Sequence, residues 1–261
     1  MIELFKEMWK KIKQRLFYYF RILPEHYMTP RRFINTMQRQ VAVKDQKDIG
    51  GMVGYMLKQH PQPEYISSSF FETLYTYDRA KIEARKKAFI NDAKDVNGSI
   101  IECGVDDGTS FVPICKLTSR TVHGFDGFRG LENGGKWGGN VGHQDEFQNS
   151  GKIPFSMPRN GKMTIGWFED TLPGYDFGYE QAKFINLDSD THSSYKTVLE
   201  NIGKYIKKGT VICLDDYFNE YKFQGETAFT AWRNFVKNNN IKYDYLYVIA
   251  PAVIVKITSK G

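Results

Sequence analysis

From Ser99 to the C-terminus, apolar runs of strand length alternate with segments of helical periodicity, and this alternation restricts the fold more than any other feature. The candidate strands are SIIECGV (99–105), TVHGFD (121–126), KMTIGWF (162–168), KFINLD (183–188) and TVICLDD (210–216). Strands joined through helices are joined by crossovers and lie parallel, and runs that are apolar throughout mark strands covered on both faces. After a helical stretch, GETAFTAWRNFVKNNN, come YDYLYVI (243–249) and AVIVKI (252–257), separated by Ala250 and Pro251 alone. So short a link cannot hold a crossover helix, which predicts an antiparallel pair. The expected fold is α/β, a mostly parallel sheet closed by a C-terminal antiparallel hairpin.

A chain of 261 residues with 41% hydrophobic content suits one main domain with an appended segment. We place the domain at 95–261, behind an N-terminal helical extension over 1–94. In that extension Phe5, Trp9, Ile12, Leu16, Tyr19 and Leu23 recur every three or four residues and line one face of a helix. The face packs on the body or on a second subunit, as in a homo-oligomer, or lies on an anionic membrane surface. Residues 24–98 read as mostly helical, with a stop at Asn97-Gly98. Arg129 to Lys162 is long, rich in Gly and Asn and without periodicity, which reads as a lid (129–162) or as an insertion without a role.

The net charge is +6, but its Lys and Arg are dispersed, so basicity alone gives little reason to expect nucleic acid. Cys103, Cys115 and Cys213 are odd in number and lack C-x-x-C spacing, so they read as reduced thiols of a cytoplasmic protein. The N-terminal segment is too often interrupted by charge to span a bilayer and offers no small-residue cleavage site, so no export signal is expected.

In open α/β sheets ligands bind beyond the carboxyl ends of the strands. The first such place is ECGVDDGTS, a glycine-containing turn with Glu102, Gly104, Asp106, Asp107 and Ser110, feeding a helix expected from Thr109. Three acids there repel a pyrophosphate and attract a cation, and S-adenosylmethionine carries a sulfonium and an ammonium. Asp106 and Asp107 are otherwise solvated turn residues. Asp126 ends the second strand, 22 residues after Gly104, where a carboxylate accepts from both ribose hydroxyls or else caps the next turn. Trp167 and Phe168 either flank an adenine or belong to the core.

The fourth and fifth strands end in Asp188 and Asp190 and in Asp215 and Asp216. Tyr195, Val198, Leu199, Ile202 and Ile206 form a stripe between them, so the two strands make one crossover and lie side by side. Carboxylates so gathered raise one another's pKa unless a cation or a proton is shared. Mg²⁺ on Asp188, Asp215 and Asp216 resolves the conflict and lowers the pKa of a coordinated alcohol. Without a metal, Asp190 caps the next helix and Asp216 is solvated. His192 beside the acids and His143 in the lid are the candidate general bases, or ordinary polar residues.

The runs IIECGVDDGTS, VHGFDGFRGL, GWFEDTLPGY, FINLDSDTHSSYKTVLE and GTVICLDDYF, in this order, resemble the macrocin O-methyltransferase-like family of class I methyltransferases, over roughly residues 95–257. The resemblance implies the Rossmann-like class I methyltransferase fold, S-adenosyl-L-methionine as donor, and a sugar or glycosylated small molecule as acceptor. It implies cofactor contacts at Glu102, Gly104, Asp126 and the turn from Trp167 to Asp170, and magnesium on Asp188, Asp215 and Asp216. Where the family carries a tyrosine after its LDxDL run, Thr191 and His192 stand here, so the acceptor side differs. The alternatives are a nucleic-acid methyltransferase, against which the absence of a Pro-Pro-aromatic motif counts, and a noncatalytic scaffold, against which the retained strand-end acids count.

Overall fold

The computed structural model describes residues 77–131, 147–217, 226–249 and 252–261. The amphipathic segment at 5–23 and most of the expected helical region before Tyr77 lie outside these residues, as do GGKWGG and His143 in the lid.

Helix α1 (Tyr77–Lys87) continues into a π-helical turn, Ala88–Asp92. There follow β1 (Ser99–Cys103), α2 (Phe111–Lys116), β2 (Val122–Asp126), β3 (Gly161–Ile165) and the short α3 (Phe168–Thr171). Next come β4 (Ala182–Leu187), α4 (His192–Ile202), β5 (Val211–Leu214), α5 (Ala228–Asn238), β6 (Ile241–Ile249) and β7 (Ala252–Lys260). The seven strands form one sheet in the order β3-β2-β1-β4-β5-β7-β6. All pairs from β3 to β5 are parallel, while β7 runs antiparallel to both β5 and β6. The expected hairpin is present, inserted so that its second strand lies against β5.

The two-residue period of a strand divides the sheet into two faces. Ile101, Cys103, Ile185, Leu187, Ile212 and Leu214 face α4 and α5 in one core. Ile100, Phe184, Val211, Cys213 and Ile254 face α1, its π turn and α2 in the other. Strands β1, β4 and β5 are buried along their whole length, which is why each reads as a mostly apolar run rather than an alternating one. Helix α4 buries Tyr195, Val198, Leu199 and Ile202 as the stripe predicts.

Three boundaries differ from the sequence reading. The first helix leaves helical geometry at Asp92, five residues before Asn97. Lys183 on β4 explains this by donating to the carbonyl oxygens of Ala93, Lys94 and Val96, so the chain leaving the helix keeps its acceptors satisfied away from helical geometry. Strand β3, a half-exposed edge, stops at Ile165 rather than Phe168, because Gly166 takes φ +150° and Trp167 opens α3. Helix α2 starts at Phe111, two residues after Thr109, because Gly108 adopts φ +80° with the Phe155 ring where its β-carbon would stand.

Candidate active site

The carboxyl ends of β1, β2, β4 and β5 are laced together by backbone hydrogen bonds. Gly104 donates to Phe125 at 3.0 Å, Asp188 to Cys103 at 2.9 Å and Asp215 to Leu187 at 2.9 Å. This lacing sets the residues after each strand on one rim. Gly104 is indispensable to it: φ is +85°, and a β-carbon would overlap the Asp188 carbonyl.

Across the α1 face of the sheet, register places Glu102 beside Asn186 and Asn186 beside Cys213. One pleat further on stand Asp188 and Asp215. Arg85 enters from α1 and joins the two layers: Nε donates to Asn186 Oδ1 at 2.9 Å, and one terminal nitrogen lies 2.5 Å from Asp215 Oδ1 and 3.5 Å from Asp188 Oδ2. One turn earlier, the Lys81 ammonium pairs with Asp215 Oδ2. Lys81 is 8% exposed and Arg85 5%. Sequence reading missed both cations and Asn186. Their one signal is the spacing of Lys81, Ala84, Arg85 and Ala88, a stripe at helical period whose small residues let the helix come close to the sheet.

Asp188, Asp215 and Asp216 each offer an oxygen within 4.8 Å of the others, as the crossover argument predicts. The set is all oxygen, the chemistry of a hard divalent cation, so the residues fit such an ion. They fit it alongside two protein cations that already hold both oxygens of Asp215. Asp188 and Asp216 are held well above the ordinary carboxylate range, by burial and then by their acidic neighbours, although the Asp188 side chain keeps 30% exposure. Burial and then Asp188 push Asp190 up to about 8. Lys81 and Arg85 therefore offset only part of the charge gathered at this rim.

Asp190 does not cap α4. It stands at φ +57°, its N–H donating to Asp216 Oδ2 at 2.9 Å, while Thr191 accepts from Ser194 as the cap. Asp216 is thus buried and bonded rather than solvated. Tyr195, read from sequence as core only, also acts at the rim. Its hydroxyl donates to the Leu187 carbonyl at 2.9 Å and accepts the Asp216 N–H at 3.1 Å, fixing the ends of β4 and β5 against each other. His192, the first residue of α4, lines a groove of about 450 Å³ between α4 and α5, together with Lys196 and Asn234.

Near the end of β1, Glu102 is fully buried, and Ser110 donates to its Oε1. Burial raises the Glu102 carboxyl to about 7. Asp107 is exposed and accepts from Thr109 N at 2.8 Å, the solvated-turn role. Asp126 accepts from the N–H groups of Val105 and Asp106 at 2.7 and 2.9 Å and of Phe128 at 2.6 Å. Its carboxylate therefore shapes the glycine turn and its own following turn, the capping alternative, and the residue is half-buried. Trp167 packs on Gly127, whose β-carbon would lie 3.7 Å from the indole, so Trp167 and Asp126 are neighbours. Phe168 packs on the core under α4, and Asp170 is exposed in α3.

A protein-family model described as a methyltransferase domain matches residues 101–217. A curated relative, the 8-demethyl-8-(2,3-dimethoxy-alpha-L-rhamnosyl)-tetracenomycin-C 4'-O-methyltransferase of Streptomyces olivaceus, is 40% identical over 52 residues, 20% of this chain. The matched stretch spans 19% of that relative's length. Among solved structures, the O-methyltransferase NovP is similar with a TM-score of 0.53 at 18% identity, over 78% of this chain and 87% of that one. CalS11, a calicheamicin methyltransferase, is similar with a TM-score of 0.51 at 18% identity, over 71% of this chain and 84% of that one. Residues 101–217 thus match a methyltransferase-domain model, and the described residues share the fold of these two methyltransferase structures.

Proposed function

We propose that the chain is an S-adenosylmethionine-dependent O-methyltransferase acting on a hydroxyl of a sugar or glycosylated small molecule. The observation that carries this reading is the rim itself, where the glycine turn after β1 stands beside the carboxylates after β4 and β5. The names of the relatives supply the acceptor class: one methylates a rhamnosyl-tetracenomycin, and NovP is an O-methyltransferase. Gly104 lets the β1 turn come close, and Trp167 and Asp126 offer a ring and a carboxylate together.

The bound donor supplies an electrophilic methyl group on a sulfonium. A hydroxyl oxygen held at the cluster forms the new bond to the methyl carbon while the carbon–sulfur bond breaks, its electron pair remaining on sulfur. The hydroxyl proton passes to a carboxylate, for which we assign Asp188, the most exposed of the three. Asp188, Asp215 and Asp216 would hold a magnesium ion, which supplies a lowered acceptor pKa when bound. His192 faces the α4–α5 groove, which favours Asp188 over it as the base, while His143 lies outside the described residues. We place the reaction in the cytoplasm, on the strength of three buried, unpaired thiols. No helix among the described residues is long and apolar enough to cross a membrane.

The test is release of S-adenosylhomocysteine from the donor over a panel of rhamnosides and other deoxyhexosides, together with donor affinity by calorimetry. Asp188→Asn should cost roughly 100-fold or more in turnover and leave donor affinity within a few-fold. Unchanged turnover in that variant defeats the mechanism, and tight donor binding without turnover on any glycoside favours the scaffold.

A further inference from the structure

We propose that the Lys81 ammonium is the resident cation of the carboxylate cluster, and that a divalent ion takes its place on Asp215 only as Lys81 withdraws. The inference rests on the metal reading of Asp188, Asp215 and Asp216 given above and adds the residue that governs access to it.

Three observations carry it. The Asp215 carboxylate, one of the three converging ligands, has each of its oxygens against a different cation, Lys81 on Oδ2 and Arg85 on Oδ1. A magnesium ion needs an oxygen at about 2.1 Å, which sets two positive charges and a third within roughly 4 Å of each other at a site that burial shields little. One protein cation has to yield. Arg85 cannot: its fork is fixed by Asn186, Asp188 and Asp215 at once, and release would strand a buried amide and two carboxylates. Lys81 stands one turn nearer the start of α1, on a flexible four-carbon stem with a compact ammonium head, the side chain better suited to swing. Its position on the sequence, four residues before Arg85, gives the two cations one helical face and distinct duties. Arg85 is the fixed counter-ion of the cluster and Lys81 the exchangeable one.

The full chain is tested in two ways. In Mn²⁺ titrations followed by electron paramagnetic resonance, Lys81→Gln should bind the ion at least about 10-fold more tightly than the wild-type protein, since a unit charge at this range is worth more than that factor. Lys81→Arg, which keeps the charge, should not tighten binding. In the wild-type protein, labelling of Lys81 by an amine-reactive reagent, read by peptide mass spectrometry, should be slow without metal and accelerate in millimolar Mg²⁺. This second measurement needs no variant to fold. Equal Mn²⁺ affinity in wild-type and Lys81→Gln proteins overturns the exchange while leaving the metal site standing. No Mn²⁺ bound by either protein, with Lys81 labelling indifferent to Mg²⁺, overturns the exchange and the metal reading together.

Discussion

Replacing Arg85 by methionine removes the fixed counter-ion while keeping most of the side-chain volume. Arg85 is 5% exposed and bonds Asn186 at 2.9 Å and Asp215 at 2.5 Å, with Asp188 at 3.5 Å. Breaking a buried ion pair from one side costs about 3–5 kcal/mol, because the remaining charge is left buried without its partner. The stranded Asn186 oxygen adds about 1–3 kcal/mol, and the Lys81 still on Asp215 offsets part of the sum, so we expect a net loss near 4 kcal/mol. For a domain of this size that is a fall of roughly 8–16 °C in Tm. Urea unfolding of the wild type, Arg85→Met and Arg85→Met/Asp215→Asn measures it. The double variant should lose clearly less than the sum of its parts, since with an amide at 215 the loss of Arg85 no longer strands a carboxylate there, while Lys81 loses its Asp215 partner equally in the Asp215→Asn single variant and in the double. A loss below about 1 kcal/mol in Arg85→Met, or strict additivity in the double variant, refutes the idea that this arginine compensates buried acids.

Two further outcomes follow from the β1 turn. Gly104→Ala forces a β-carbon into the Asp188 carbonyl at φ +85° and should cost about 2 kcal/mol or more in unfolding free energy, with donor affinity reduced by at least about 10-fold as the turn after β1 is reshaped; a variant with wild-type melting and binding contradicts a donor role for the turn. Glu102, raised by burial from 4.5 to about 7, holds its proton more tightly folded than unfolded. Stability is therefore greatest below pH 4.5 in this contribution and is lost as pH rises through 7, by about 3 kcal/mol. Glu102→Gln should lack that decline when wild-type and variant are unfolded in urea at pH 5 and pH 8, and parallel declines would contradict it.

The strands were legible because a parallel sheet covered on both faces writes itself as largely apolar runs, and Ile100 to Cys103, Phe184 to Leu187 and Val211 to Leu214 hold at most one polar residue each. The polar residues in the first two, Glu102 and Asn186, carry a signal that went unread for Asn186: a fully buried polar group in a strand must meet a partner, here Arg85 from the next layer. Asp188, Asp215 and Asp216 were legible as a set because two adjacent strands joined by one crossover end on one rim. What supplies their counter-charge was not, because the answer lies more than a hundred residues away in sequence, on a helix whose buried face carries Lys81 and Arg85 in place of leucines. Charge on a helix ordinarily marks its solvent side. The turn residues were also ambiguous for a local reason: Asp107, Asp126, Asp190 and Thr191 are all residue types that bond nearby backbone, and which of them caps depends on which backbone positions take positive φ.

The sheet and the helix before it therefore cannot be assigned separate roles. A rim that gathers four aspartates after β4 and β5 leaves buried acids that Lys183, the one basic residue on β4, does not offset, since it points to the carbonyls that follow α1. Helix α1 meets both needs. Its buried face covers the sheet through Ala84 and Ala88, and the same face carries the two cations to the rim. Small residues on that stripe are what let Arg85 reach Asn186 in the second layer, so the packing of α1 and the electrostatics of the rim have one cause. A change that lifts α1 from the sheet should for that reason be read at the carboxylates as well as in the core.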